Sequence, residues 1–292
     1  MEGCGGYDQQ RRAAPDEPLS GPTGRRLTSD DIRKAASQPA SAKIVYGDGP
    51  QQYAELRLPS GIGPFAVVAV IHGGCWVGYS NTDYTAHLAS ALTAQGWATW
   101  NLEYRSANVE GGGWPGTFRD VGMGIDALRD AARSYPLNLD RVVAAGHSAG
   151  GQLALWSGGR HRVPRNSDVY LENPLALNGV VSLAGIPDMR AYASFGPKEC
   201  VAGELKVMGG TPGEHPDRYA AVSPAELLPL GTPQVLVWAD EDQVAPESLF
   251  LDYERRSDAV VIRVEHAGHH EVCSAEGPGW NNLVAEIRKL LE

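Results

Sequence analysis

From Tyr53 onward the chain alternates between short apolar runs and longer stretches with apolar residues at helical spacing. Tyr53-Ala54-Glu55-Leu56-Arg57-Leu58-Pro59 switches apolar and polar at every step, which predicts a half-exposed antiparallel strand. Pro59-Ser60-Gly61-Ile62-Gly63-Pro64 reads as a turn. Phe65 to Ile71 is apolar throughout, as a strand buried on both faces must be. Leu88, Leu92 and several Ala predict a helix over Tyr84–Gln95, and Trp97–Leu102 predicts the next strand. Val121, Ile125 and Leu128 share one face of an expected helix from Phe118 to Ser134. Strands are further expected at Val142–Ala145, Asn178–Leu183, Gln234–Trp238 and Ala259–Val264. Helices are expected from Gln152 and from Trp280 to Leu291. Strands alternating with helices predict an α/β fold.

This pattern sets the domain boundaries. Residues 1–42 are polar and rich in Gly, Pro, Gln and Arg, and read as a disordered or tether-like segment with at most a short helix near Thr28–Ala35. Residues 43–292 are expected to form a single α/β domain. Between about 185 and 230 clean periodicity is lost among Pro187, Pro197, Gly209-Gly210, Pro212, Pro216 and Pro224, which predicts a small lid-like insertion. With 292 residues and 42% hydrophobic content the chain can bury a generous core. Its net charge of −10 argues against nucleic acid as a partner and gives no basic face for an anionic membrane. Among the four cysteines, Cys4, Cys75, Cys200 and Cys273, no pair has zinc-site spacing. Met1-Glu2-Gly3-Cys4-Gly5-Gly6 resembles the start of a processed lipoprotein, without the apolar signal segment that would precede it. The expectation from the chain as it stands is a cytoplasmic protein. The alternative is an exported one anchored to the membrane by a lipidated Cys4.

The chemistry concentrates at strand ends. Gly146-His147-Ser148-Ala149-Gly150 follows an apolar run and opens a helix, the G-x-S-x-G pattern in its strand-turn-helix setting. Such a turn raises the Ser148 hydroxyl clear of the sheet and leaves the Ala149 N–H at a helix start, aimed at a developing oxyanion. His72-Gly73-Gly74-Cys75-Trp76 ends the first buried strand, and its glycines let backbone N–H groups approach a ligand. The N–H groups around Gly74 and Cys75 are expected to complete an oxyanion hole with Ala149. Trp76, Trp114 and His147 are candidate walls of a substrate pocket, with core packing as the other reading of Trp76. Cys75 itself reads as a small packed side chain. Asp120 and Arg105 are expected to pair and brace the loops. After the Gln234–Trp238 strand, Asp240, Glu241 and Asp242 compete to supply a carboxylate; Asp242, one turn beyond the strand, is the first choice. The loop after the last strand holds His266, His269 and His270. His269, following Gly268, is the first choice for a general base, with His270 in reserve. A metal cluster of the three histidines is the competing reading, and it lacks a recognised ligand set.

The order Ser148…Asp242…His269, with the elbow and the His-Gly-Gly loop, resembles the α/β-hydrolase superfamily from about Ile44 to the C-terminus. H-G-G-x-W with G-H-S-A-G-G is similar to the carboxylesterase and kynurenine-formamidase-like branch, which shades into prolyl-oligopeptidase-type catalytic domains. Cys75 stands where the hormone-sensitive-lipase branch carries a third Gly. The resemblance implies a mostly parallel sheet with helices on both faces, no cofactor and no metal. It implies a serine hydrolase that cleaves small to medium carboxylic esters through an acyl-enzyme, with a formamidase or other amidase as the alternative. A non-catalytic binding module fits less well, because it need not retain all three residues. Cys200, in the lid stretch, and Cys273, just beyond His269, are expected to bond if the protein is exported.

Overall fold

The computed structural model describes residues 26–292. Cys4 and the rest of the 1–25 stretch lie outside the described residues. Within residues 26–42 the short helix expected near Thr28–Ala35 is present as α1 (Ser29–Lys34), closed by a reciprocal capping box between Thr28 and Asp31. Its one buried residue, Ile32, seats it on the domain.

Eight strands form one sheet: β1 (Ala42–Val45), β2 (Tyr53–Arg57), β3 (Phe65–Ile71), β4 (Ala98–Leu102), β5 (Leu137–His147), β6 (Gly179–Leu183), β7 (Gln234–Ala239) and β8 (Val260–Val264). Their order is β1-β2-β4-β3-β5-β6-β7-β8. β1 and β2 are antiparallel to their neighbours, and β4 through β8 run parallel with β3. The mostly parallel α/β architecture matches expectation.

Successive side chains on a strand point to opposite faces, and β3 shows what that does here. Val67, Ala69 and Ile71 join one core, with α3 (Gly116–Asp126) and α5 (Ala149–Gly158). Ala66, Val68 and Val70 join the other, with α2 (Thr82–Ala94) and α10 (Trp280–Leu291). The amphipathic helix expected to reach Ser134 breaks instead after Asp126 and resumes as the short α4 (Leu128–Ala131). Asp126 turns its carboxylate to Arg160 and to the Leu175 N–H.

Three helices, α6 (Met189–Phe195), α7 (Lys198–Met208) and α8 (Pro216–Val222), fill the expected insertion between β6 and β7. They are packed, not loose: Met189, Tyr192, Val207, Met208 and Tyr219 have no exposed surface and belong to the first core. The last crossover, α9 (Glu247–Arg256), connects β7 to β8.

Candidate active site

β5 ends in a turn that only small residues permit. A Cβ on Gly146 would lie 2.0 Å from the Gly150 carbonyl oxygen, and one on Gly150 would lie 2.2 Å from the Ile71 carbonyl oxygen. The turn forces Ser148 to φ 56°, ψ −124°, a strained conformation for a residue with a side chain. Its N–H is held by the Leu183 carbonyl at 2.8 Å. Ala149 opens α5, where the first N–H groups have no partner within the helix and remain available to an anion.

The His-Gly-Gly loop lies against this elbow, since a Cβ on Gly73 would meet the His147 carbonyl at 2.7 Å and the Ser148 Cβ at 2.9 Å. Gly74, Cys75 and Trp76 all have positive φ, at 103°, 49° and 60°. Three consecutive left-handed residues curl the backbone sharply. The curl is held from outside: His72 stacks on Tyr104 at 4.3 Å and bonds Glu103 through Nε2 at 3.0 Å, and Tyr104 donates back to the His72 carbonyl at 2.9 Å. Glu103 accepts the Thr82 N–H with its other oxygen. One step further out, Arg105 grips buried Asp120 through Nε and Nη2, each at 2.7 Å, and Gln52 donates to the same carboxylate.

Cys75 is not a lone packed thiol. It forms a disulfide with Cys200 of α7, and the expected Cys200–Cys273 bond is not made. The sheet explains both outcomes. Cys75 and Cys200 lie with the first core, whereas Cys273 lies in the core on the opposite face. α7 crosses the loop so closely that a Cβ on Gly203 would come within 2.2 Å of the Cys75 carbonyl oxygen. Cys273 stays a buried thiol, raised to about 12 by desolvation.

Of the three acids after β7, Asp242 alone faces a histidine of the last loop from a buried position. Its side chain has no exposed surface, and Oδ2 accepts from His269 Nδ1 at 2.8 Å. Oδ1 accepts two backbone N–H groups, from Val244 at 2.7 Å and Ala245 at 3.0 Å. Asp240 is exposed and caps the Ala267 N–H. Glu241 is exposed and pairs with Arg26 and His266. His266 therefore points away from His269 and His270, and the three do not converge on a metal. Asp240, Glu241 and His266 do cluster, but all are exposed.

The His269 ring lies 4.6 Å from that of His147, the residue before Ser148, so the imidazole sits beside the elbow. His270, the reserve, faces away toward Tyr84. Two pocket candidates need correction. Trp76 is 1% exposed, donates to Gln152 Oε1 at 3.0 Å and meets Tyr192 edge-on, so it is core and not pocket wall. His147 is equally buried and spends both ring nitrogens on protein partners. Trp114 is half-buried, packed on Phe118 and under Arg218, with its indole N–H on Asp168.

Known proteins resemble this chain to different depths. The chain is 25% identical over 245 residues to Esterase LipC of Mycobacterium tuberculosis (strain ATCC 25618 / H37Rv), an alignment covering 78% of this chain. It spans 59% of that relative's length. A truncated carbohydrate esterase from gut microbiota superposes with a TM-score of 0.73 at 20% identity, over 87% of this chain and 96% of that one. Esterase B from Lactobacillus rhamnosis superposes with a TM-score of 0.74 at 18% identity, over 89% of each chain. These two likenesses establish the α/β-hydrolase fold. The BD-FAE family model matches residues 56–249, a stretch that takes in the His-Gly-Gly loop, the Ser148 elbow and the Asp242 loop. That match spans well over half of the chain, which belongs to the BD-FAE family.

Proposed function

We propose that this chain is a serine hydrolase that cleaves small to medium carboxylic esters through an acyl-enzyme. The observation that carries the reading is the Asp242–His269 pair at 2.8 Å, fixed by two backbone N–H groups and set beside a strained Ser148. His269 takes the Ser148 proton as the hydroxyl oxygen bonds to the ester carbonyl carbon. The N–H groups of Gly74, Cys75 and Ala149 hold the oxyanion. His269 passes the proton to the leaving alcohol as the C–O bond breaks. Water, deprotonated by His269, then attacks the acyl-enzyme and releases the acid, and the proton returns to Ser148. Asp242 keeps Nδ1 protonated and balances the imidazolium that forms transiently.

The esterase names of LipC, Esterase B and the gut carbohydrate esterase fit this class of reaction. The packed helices over the loop point to a modest pocket, for which half-buried Trp114 is the remaining aromatic candidate. The Cys75–Cys200 bond supports an oxidising compartment, the exported alternative raised by Cys4.

One plate of rates tests the substrate class: p-nitrophenyl esters from acetate to decanoate beside N-formylkynurenine, with Ser148→Ala as the blank. Short and medium esters are expected to turn over fastest. A formamide rate far above the esters would move the protein to the amidase class. No turnover of either, with Ser148 unreactive, would leave a binding module.

A further inference from the structure

Behind the elbow lies a hydrogen-bonded cluster that the reaction does not use. Tyr84, from α2, is 2% exposed, and its hydroxyl lies 3.0 Å from His147 Nδ1 and 2.9 Å from His270 Nδ1. His147 Nε2 lies 2.7 Å from the backbone carbonyl oxygen of His269. Cys273 Sγ donates to the His270 carbonyl at 3.1 Å and sits 3.3 Å from the Tyr84 hydroxyl. The residues next to the nucleophile and next to the base are thus joined through one phenol.

The direction of each bond follows from what the atoms can do. A carbonyl only accepts, so His147 Nε2 carries its proton. Burial, and the neighbouring His269 and His270, hold His147 neutral, so its Nδ1 is a bare acceptor. The Tyr84 O–H must then donate to His147. The phenol oxygen in turn accepts from His270 Nδ1–H. Burial also lowers His270 to about 4, and burial raises Tyr84 well above the usual phenol range. No member is charged at neutral pH. The chain of donors runs one way, from His270 through Tyr84 and His147 to the His269 carbonyl. The Arg33 guanidinium of α1, 6.0 Å from the Tyr84 ring centroid, and Glu271 are the charged groups facing the phenol.

We propose that Tyr84 and His147 are positioning residues for the base: their bonds fix the His269 backbone, so that its imidazole stands at Ser148 while Asp242 holds the far side. This rests on the ester-hydrolase reading above. His269 sits on a loop, not in an element, and one side-chain bond to Asp242 leaves the ring free to pivot about it. The bond from His147 to the carbonyl of His269 itself, added to those that hold Ala267, Gly268 and His270 on either side, limits that freedom, and a displacement of about 1 Å at a reacting group can cost about 100-fold in rate.

Three variants test it on p-nitrophenyl butyrate, each read as kcat, KM, the fraction of titratable active sites and the pH profile. Tyr84→Phe keeps the ring and removes the bridge. His147→Phe removes the donor to His269. His147→Gln restores an N–H of similar reach. Tyr84→Phe and His147→Phe are expected to lose about 10- to 100-fold in kcat, with KM little changed, all sites still titrating and a displaced acid limb. His147→Gln is expected to recover most of the loss. The proposal is overturned if both phenylalanine variants keep wild-type kcat and pH profile. It is also overturned if kcat falls only in proportion to the titratable sites, or if the Gln variant is no better than Phe. Ser148→Ala run alongside separates the two levels: full activity there would remove the ester-hydrolase reading itself, whatever the brace variants do.

Discussion

Replacing Asp242 by Asn tests the geometry of the site with the smallest chemical change. Oδ1 accepts from the Val244 and Ala245 N–H groups, and Oδ2 accepts from His269 Nδ1. An asparagine must choose which end faces which partner. Turning its NH₂ toward the two backbone N–H groups would set donors against donors and leave both unsatisfied in a buried place, at about 1–3 kcal/mol each. Its carbonyl oxygen therefore keeps the backbone position, and the NH₂ points at His269. The imidazole must then present bare Nδ1 and carry its proton on Nε2. That is the wrong tautomer for accepting the Ser148 proton. The loss expected for this swap in a Ser-His-Asp triad is about 10⁴-fold in kcat, which corresponds to about 5.4 kcal/mol of barrier. The assay is kcat/KM on p-nitrophenyl butyrate, with circular dichroism to show that the fold persists. Asp240→Asn and Glu241→Gln, at exposed neighbours, should stay near wild type. An Asp242→Asn enzyme within about tenfold of wild type, or a larger loss at Asp240, would refute the assignment.

Other parts of the structure give independent tests. Glu204 in α7 is fully buried, neither carboxylate oxygen has a hydrogen-bond partner among the described residues, and desolvation, with Asp188 adding, raises it to about 9. As pH rises from about 4 toward 9, the unfolded chain gives up a proton that the folded chain keeps, so stability falls through that window. Glu204→Gln should therefore raise Tm more at pH 8 than at pH 5; an equal or smaller gain at pH 8 contradicts this. The Cys75–Cys200 bond closes a separation of 125 residues, for which chain entropy gives at most about 5 kcal/mol. Cys200→Ser should lower both Tm and kcat, and a tryptic map showing a Cys200–Cys273 peptide would refute the pairing. Gly150→Ala would press a methyl against the Ile71 and His72 carbonyl oxygens at 2.2 and 2.5 Å. It should cost about 3 kcal/mol or more, seen as a Tm drop of about 6–12 °C, and an unchanged Tm would contradict the packing of the elbow.

Much of this molecule was legible in the sequence because its signals are local. Phe65–Ile71 is apolar at every position, and α10 runs over the same residues, Trp280–Leu291, that its spacing predicts. The elbow was readable because its glycines answer to backbone atoms within a few residues and on the adjacent strand. What failed was long-range. For Trp76 the sequence leaves pocket wall and core packing both open, because it follows a ligand-binding type of loop. Its indole is drawn into the core by Gln152, 76 positions away. Cys75 looked inert because nothing near it in the chain suggests α7 lying across it. His147 appeared as a possible wall, since only the folded chain shows Tyr84 and the His269 carbonyl on either side of it. The α1 helix carried a readable cap in Thr28 and Asp31, but the polar residues around it masked the single apolar anchor, Ile32.

The central claim is that Ser148 is a nucleophile activated by His269. It is tested most directly by intact-mass analysis after exposure to a fluorophosphonate, comparing wild type, Ser148→Ala and His269→Ala. The account predicts one phosphonyl adduct per wild-type chain, mapped to Ser148, no adduct on Ser148→Ala and strongly slowed labelling of His269→Ala. An adduct that persists on Ser148→Ala, or a wild-type chain that never labels, would contradict it.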